Sequence, residues 1–120
     1  MSGSGGPVSD NCLFCRIARR EIPATVVAED EHLMAFRDVS PQAPVHVLVI
    51  PKAHVASLDD VREFSIVGRM AEMAASVARQ EGIAERGYRV VMNTNADGGQ
   101  TVFHLHLHLL GGRSLDWPPG

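Results

Sequence analysis

The sequence predicts an α+β domain, an antiparallel sheet packed on helices. Three observations predict it. Short strand-like runs are joined by brief polar connections, one long apolar stripe of helical spacing lies between the middle and late runs, and His104 to Leu109 alternates histidine with leucine. A chain of 120 residues and 13.0 kDa fits one domain. It can bury roughly two-thirds of its unfolded surface, enough for a core without covalent staples.

In chain order, Asn11 or Asp10 can cap a short helix through Leu13, Phe14, Ile17 and Ala18, which Ile22-Pro23 would end. Thr25 to Ala28 and Leu33 to Phe36 read as strands around the polar turn Glu29 to His32. Ser40 to Pro44 is a loop, and Val45 to Ile50 a strand that Pro51 stops. Ser57 with Asp60 resembles a capping box, after which Val61, Phe64, Val67, Ala71, Ala74 and Ala78 form one helical stripe. Gly82 is the expected helix stop. Tyr88 to Met92 is a strand, Asn93 to Gln100 a glycine-containing loop, and Val102 to Leu110 the last strand. Trp117, the single tryptophan, sits on an extended tail.

The 45% hydrophobic and 21% charged fractions are those of an ordinary globular protein. A net charge of −3 with scattered basic residues gives no footprint for a nucleic-acid polymer or an anionic membrane. The longest apolar run, Val45 to Ile50, is too short to span a bilayer. Residues 1–9 read as a flexible Gly/Ser tail without the features of an export signal, leaving residues 10–120 as the domain. The expected compartment is the cytoplasm, where two cysteines serve as thiols or metal ligands.

Half of the six histidines lie in His104-Leu105-His106-Leu107-His108. On a strand, alternate side chains share a face, so the three rings face one way and Leu105, Leu107 and Leu109 face the core. The histidine face should border a cleft or solvent. Three readings compete: a partly solvated sheet face, a metal site, or a nucleophile with helpers. Rings spaced by roughly 6.5–7 Å cannot all reach one ion, so at most two would bind a shared metal. A neutral imidazole, with its ordinary pKa of about 6.5, can attack phosphorus while a neighbour supplies a proton. Asn93, Asp97-Gly98-Gly99-Gln100 and Thr101, just upstream, offer an amide, a hydroxyl and backbone N–H groups to phosphate oxygens.

The segment His104-Leu105-His106-Leu107-His108-Leu109-Leu110 resembles the signature of the histidine-triad (HIT) family of nucleotide hydrolases and transferases. The likeness extends over most of the chain after Asp10. It includes Glu21-Ile22-Pro23, Ala35 to Pro44, Val49-Ile50-Pro51-Lys52 and Asp97-Gly98-Gly99-Gln100. The ending Gly111-Gly112-Arg113 with Trp117-Pro118-Pro119-Gly120 is similar to the Hint branch, the purine nucleoside phosphoramidases. The resemblance implies a five-stranded antiparallel sheet with one long and one short helix, joining a second copy into a ten-stranded sheet. It implies His106 as the nucleophile that forms a nucleotidyl-histidine, His108 on the phosphate and leaving amine, and His104 and His46 as tuners of the nucleophile. It places phosphate on Asn93, Gly99 and Thr101 and ribose on Asp38, and counts Gln100 and Val102 among the substrate-binding residues. The purine would lie against Leu13, Phe14, Ile17, Phe36 and Val39, with Arg37 also counted as substrate-binding and Trp117 reaching the partner's site. For the apolar members of this wall, plain core packing explains the sequence equally well.

Cys12-Leu13-Phe14-Cys15 is a C-x-x-C pair. By itself it could be a redox pair, although no strand precedes it as in thioredoxin-type units, or two small core residues. The family likeness implies a structural zinc on Cys12, Cys15, His54 and His104, a closed Cys2His2 set. Two other functions share these features. One is a dinucleoside polyphosphate hydrolase or nucleotidyl transferase, which the Trp-Pro-Pro-Gly ending disfavours. The other is a zinc-stabilised nucleotide-binding or interaction module.

Overall fold

The computed structural model describes residues 11–120; the tail expected at residues 1–9, and Asp10, lie outside the described residues. Strands β1 (Val26–Glu29), β2 (Leu33–Arg37), β3 (Val45–Pro51), β4 (Tyr88–Val91) and β5 (Leu107–Gly111) form one antiparallel sheet in the order β1-β2-β3-β5-β4. Helices α1 (Leu13–Ala18) and α2 (Ser65–Gln80) and a short turn, α3 (Asn95–Gly98), complete the elements. Among the described residues, no helix is long and apolar enough to cross a membrane.

The central strands are covered on both faces, which is why β3 reads as an apolar run interrupted only by His46 rather than as an alternation. Leu33, Ala35, Val47, Val49, Leu105, Leu107 and Leu109 pack with Met70, Ala74, Val77 and Ala78 of α2. On the opposite face, Met34, Phe36, Leu48 and Ile50 pack with Phe14 and Ile17 of α1. The leucines of the alternating segment thus point to α2 and its histidines to α1.

Several boundaries differ from the sequence expectation. The cap of α1 is Cys12 rather than Asn11, because the Cys15 N–H donates to the Cys12 Sγ at 3.3 Å. That helix ends at Ala18, before Ile22-Pro23, since the Glu21 N–H donates to the Arg16 carbonyl and the Arg20 N–H to that of Ile17, with Arg20 at φ 61°. Ser57 Oγ bonds Asp60 Oδ2 at 2.8 Å but closes only a 3-10 turn, Leu58–Asp60. Val61 is then extended and drops into the core, so α2 begins at Ser65. Phe64 and Ala71, expected on the buried stripe, are exposed, and Met70 and Val77 take their place. Gly82 ends α2 as expected. At φ 76° its N–H reaches the Arg79 carbonyl, and the Ile83 N–H reaches that of Ala78.

The last strand is the largest correction. It spans Leu107–Gly111, not Val102 to Leu110. The ladder with β3 begins at the Val49–Leu107 pair; upstream of it, the Leu105 N–H donates instead to the Val55 carbonyl at 2.6 Å. His104 and His106 therefore lie on the lead-in to the strand, which bends through residues 102–104. Gly111 ends β5 against Ile83, where a Cβ would stand 2.5 Å from the Ile83 Cδ1.

Candidate active site

The alternation that begins in the lead-in carries all three rings to the α1 face. The reading of a partly solvated sheet face is not met, since His104 is 0% and His106 7% exposed. The Phe14 ring covers them, with its centroid 5.9 Å from that of His104 and 5.2 Å from that of His106. The His106 Nδ1–H donates to the His104 carbonyl oxygen at 2.7 Å. A carbonyl can only accept, so the neutral ring carries its hydrogen on Nδ1 and a lone pair on Nε2. That is the electronic state a nucleophilic imidazole needs.

His46 of β3 shares a ring–ring hydrogen bond with His108. The backbone N–H of Gln42 donates to His46 Nδ1 at 3.0 Å. The ring hydrogen must then sit on Nε2, which donates to His108 Nδ1 at 2.9 Å. His108 in turn keeps its hydrogen on Nε2. Burial pushes the His108 ring down to about 4, helped by His106 and His46 and opposed by the Asp38 carboxylate. Burial also lowers His46, against the pull of Asp38.

A cavity of about 550 Å³ opens in front of these rings. It brings together His46, His106, His108, Asp38, Thr101 and Val102 with Leu13, Phe14, Ile17, Phe36, Arg37 and Val39. Val39, at 95% exposure, lies at its rim. The Arg37 guanidinium donates at 2.9 Å to Oε2 of Glu81, the residue that follows α2. Ile22, Pro23, Ala24, Ser40, Gln42 and Leu48 also line the cavity and were not expected from the sequence. Leu48 was legible in principle, because period two in β3 puts it on the face of His46. A cavity of similar volume, about 560 Å³, opens beside His54 and the start of α2, but holds no ring of the site.

Asn93, Gly99, Gln100 and Trp117 do not line the active cavity. Within the segment expected to be a glycine-containing loop, Asn95–Gly98 form α3. There the Gly99 N–H donates to the Ala96 carbonyl and the Gln100 N–H to that of Asn95. The Gln100 side chain is buried, donating to the Ala56 carbonyl at 2.8 Å and accepting from the Asn95 N–H at 2.9 Å. Its amide holds the loop. Trp117 is 80% exposed.

Behind the cavity, the side chains of Cys12, Cys15, His54 and His104 converge, with one donor atom from each lying within 4.8 Å of all the others. His104 Nδ1 is 3.2 Å from Cys12 Sγ and 3.5 Å from Cys15 Sγ, and His54 Nδ1 is 3.4 Å from Cys15 Sγ. Bond lengths of about 2.3 Å to sulfur and 2.0–2.1 Å to nitrogen put tetrahedral S···N edges near ~3.5 Å. The cluster therefore fits a metal ion of zinc's size and preference. His104 Nε2–H donates to the Pro51 carbonyl at 2.7 Å, which leaves the Nδ1 lone pair facing the sulfurs. Burial, outweighing that carbonyl, lowers the His104 ring to about 4, so it presents a neutral donor nitrogen.

A family model described as the HIT domain matches residues 19–115. Purine nucleoside phosphoramidase of Escherichia coli K12 is 51% identical over 110 residues, covering 90% of this chain and 92% of that protein. A 14 kDa zinc-binding protein of Zea mays is 50% identical over 113 residues, covering 90% and 87%. The crystal structure of a HIT family hydrolase from Legionella pneumophila Philadelphia 1 aligns with a TM-score of 0.89 at 54% identity, covering 92% of this chain and all of that one.

Proposed function

The chain belongs to the HIT domain family, and from that premise we propose that it hydrolyses purine nucleoside 5′-phosphoramidates through a covalent nucleotidyl-histidine on His106. One observation carries the reading. The His106 ring lines the cavity with its Nδ1–H held by the His104 carbonyl, which leaves Nε2 as the nitrogen able to attack.

In the first half-reaction the His106 Nε2 lone pair bonds to phosphorus while the P–N bond breaks, and the departing nitrogen takes a proton from His108. His108 is neutral in the free protein. A phosphate anion beside it favours the charged ring that delivers this proton. In the second half-reaction a water gives its proton back to His108 and attacks phosphorus, breaking the N–P bond and releasing the nucleoside monophosphate. Thr101 supplies a hydroxyl to a phosphate oxygen, and Asp38 accepts from the ribose hydroxyls. Leu13, Phe14, Ile17 and Phe36 provide the apolar wall for the base.

A zinc ion held by Cys12, Cys15, His54 and His104 would supply structural closure, with no open position for chemistry. The Zea mays relative, named as zinc-binding, supports this assignment. Two copies are proposed to join at β4, an edge of the sheet where Tyr88 and Val90 are exposed, with Trp117 covered by the partner.

Mass spectrometry of a quenched reaction with adenosine 5′-phosphoramidate tests the chemistry. A nucleotide adduct on His106 is expected. Full turnover by His106→Ala would exclude the mechanism.

A further inference from the structure

Asp38 stands within reach of more than a ribose. Its Oδ1 accepts the Ser40 N–H at 2.8 Å, and its own N–H donates to the His46 carbonyl at 3.0 Å. The side chain is thereby fixed beside the ring of His46, with Oδ2 3.4 Å from Nε2. That distance is longer than the 2.9 Å between His46 Nε2 and His108 Nδ1, so the single Nε2 hydrogen belongs to His108 at rest.

The arrangement changes when His108 takes up a second proton. Its Nδ1 then becomes a donor and can no longer accept from His46. The His46 hydrogen cannot move to Nδ1, because the Gln42 N–H already points there. Asp38 Oδ2 is the acceptor that remains beside it. The titratable groups facing His108 are His106 on its own segment, His46 on β3 and Asp38 on the β2–β3 connection. Of these, Asp38 alone carries negative charge.

We propose that Asp38 is a positioning residue for the acid His108, acting through His46. Its carboxylate receives the His46 N–H and offsets positive charge while His108 carries a proton to the leaving nitrogen. The proposal rests on the phosphoramidate reading and gives Asp38 a part in the chemical step beside the ribose contact. The same backbone amide explains why Asp38, His46 and His108, which have metal-like spacing, form a proton site. A metal on His46 Nε2 would require a hydrogen on Nδ1, opposite the Gln42 N–H.

The test measures kcat and KM across pH for wild type and Asp38→Asn, with adenosine 5′-phosphoramidate and with its 2′,3′-dideoxy counterpart. The dideoxy substrate lacks the hydroxyls that Asp38 would hold. Asp38→Asn should lower kcat about tenfold on both substrates, equivalent to about one pKa unit in the acid. It should also move the descending limb of the kcat profile to lower pH, while KM rises for the ribose substrate only. An unchanged kcat and limb with the dideoxy substrate would overturn the proposal. His46→Gln serves as the second variant: combined with Asp38→Asn, it should lose no more kcat than alone, and additive losses would contradict a shared path. If wild type turns over neither substrate, the phosphoramidate reading fails, and imidazole ¹⁵N NMR decides the positioning role separately. Ring signals of His46 and His108 that shift in Asp38→Asn support it; unmoved signals refute it.

Discussion

His106 Nδ1 lies 2.7 Å from the carbonyl oxygen of His104, and that one bond joins the Cys/His cluster to the proposed nucleophile. The backbone of His104 sets the tautomer of the proposed nucleophile. Its side chain meanwhile faces the two cysteine sulfurs. Whatever fixes the His104 ring also fixes the carbonyl that orients His106.

Metal removal should therefore reach the chemistry. Elemental analysis is expected to find one zinc per chain. Cys12→Ser, or prolonged chelation, should lower the melting temperature and cut turnover by about 10- to 100-fold without abolishing it. A metal held at 100 times its dissociation constant contributes about 2.7 kcal/mol to stability. Full activity and an unchanged melting curve after metal loss would separate the two centres.

Acid should weaken the fold ahead of carboxylate titration. The rings of His46 and His108 are held below their ordinary value of about 6.5, His108 at about 4. The unfolded chain thus binds protons first as pH falls. The stability these rings contribute is complete above about pH 6.5 and drains between there and about 4. Urea midpoints measured at steps through this window should fall steadily. Replacing His108 with Gln should flatten part of the slope, and an unaltered slope would count against the assignment.

Gly111→Ala should destabilise the protein by about 1–3 kcal/mol, because the added methyl meets the Ile83 side chain at 2.5 Å. Thermal denaturation reads the loss. Pairing the change with Ile83→Val should recover part of it, since the neighbouring sites share one volume. Strictly additive losses would place the cause elsewhere.

The β4 edge is expected to carry the proposed dimer. Val90→Lys puts a charge among its exposed apolar residues and should shift sedimentation toward the monomer. Turnover should fall with it if Trp117 completes the partner's site. A wild-type protein that sediments as a monomer would remove this proposal.

The sequence made much of the fold legible, and the misses have local causes. The five strands and the long helix follow from period and punctuation, and the leucine side of the final segment faces α2 as period two requires. The strand's start at Leu107 was hidden, because the side-chain alternation persists through a lead-in whose Leu105 N–H is taken by the Val55 carbonyl. Likewise Ser57 and Asp60 make their expected contact, yet burial of Val61 separates that turn from α2.

By itself the sequence determined which residue types were available and which side of the chain they occupied: three imidazoles on one face, a C-x-x-C pair, and an acid before the β2–β3 loop. The tertiary structure alone decided their protonation geometry. Which ring nitrogen holds hydrogen depends on partners distant in sequence, such as Pro51 for His104 and His46 for His108, or on backbone groups whose direction only folding sets, such as the Gln42 N–H and the His104 carbonyl. Spacing along a chain carries no information about where a carbonyl points, and that direction separates the ring turned to the cysteine sulfurs from the ring lining the cavity here.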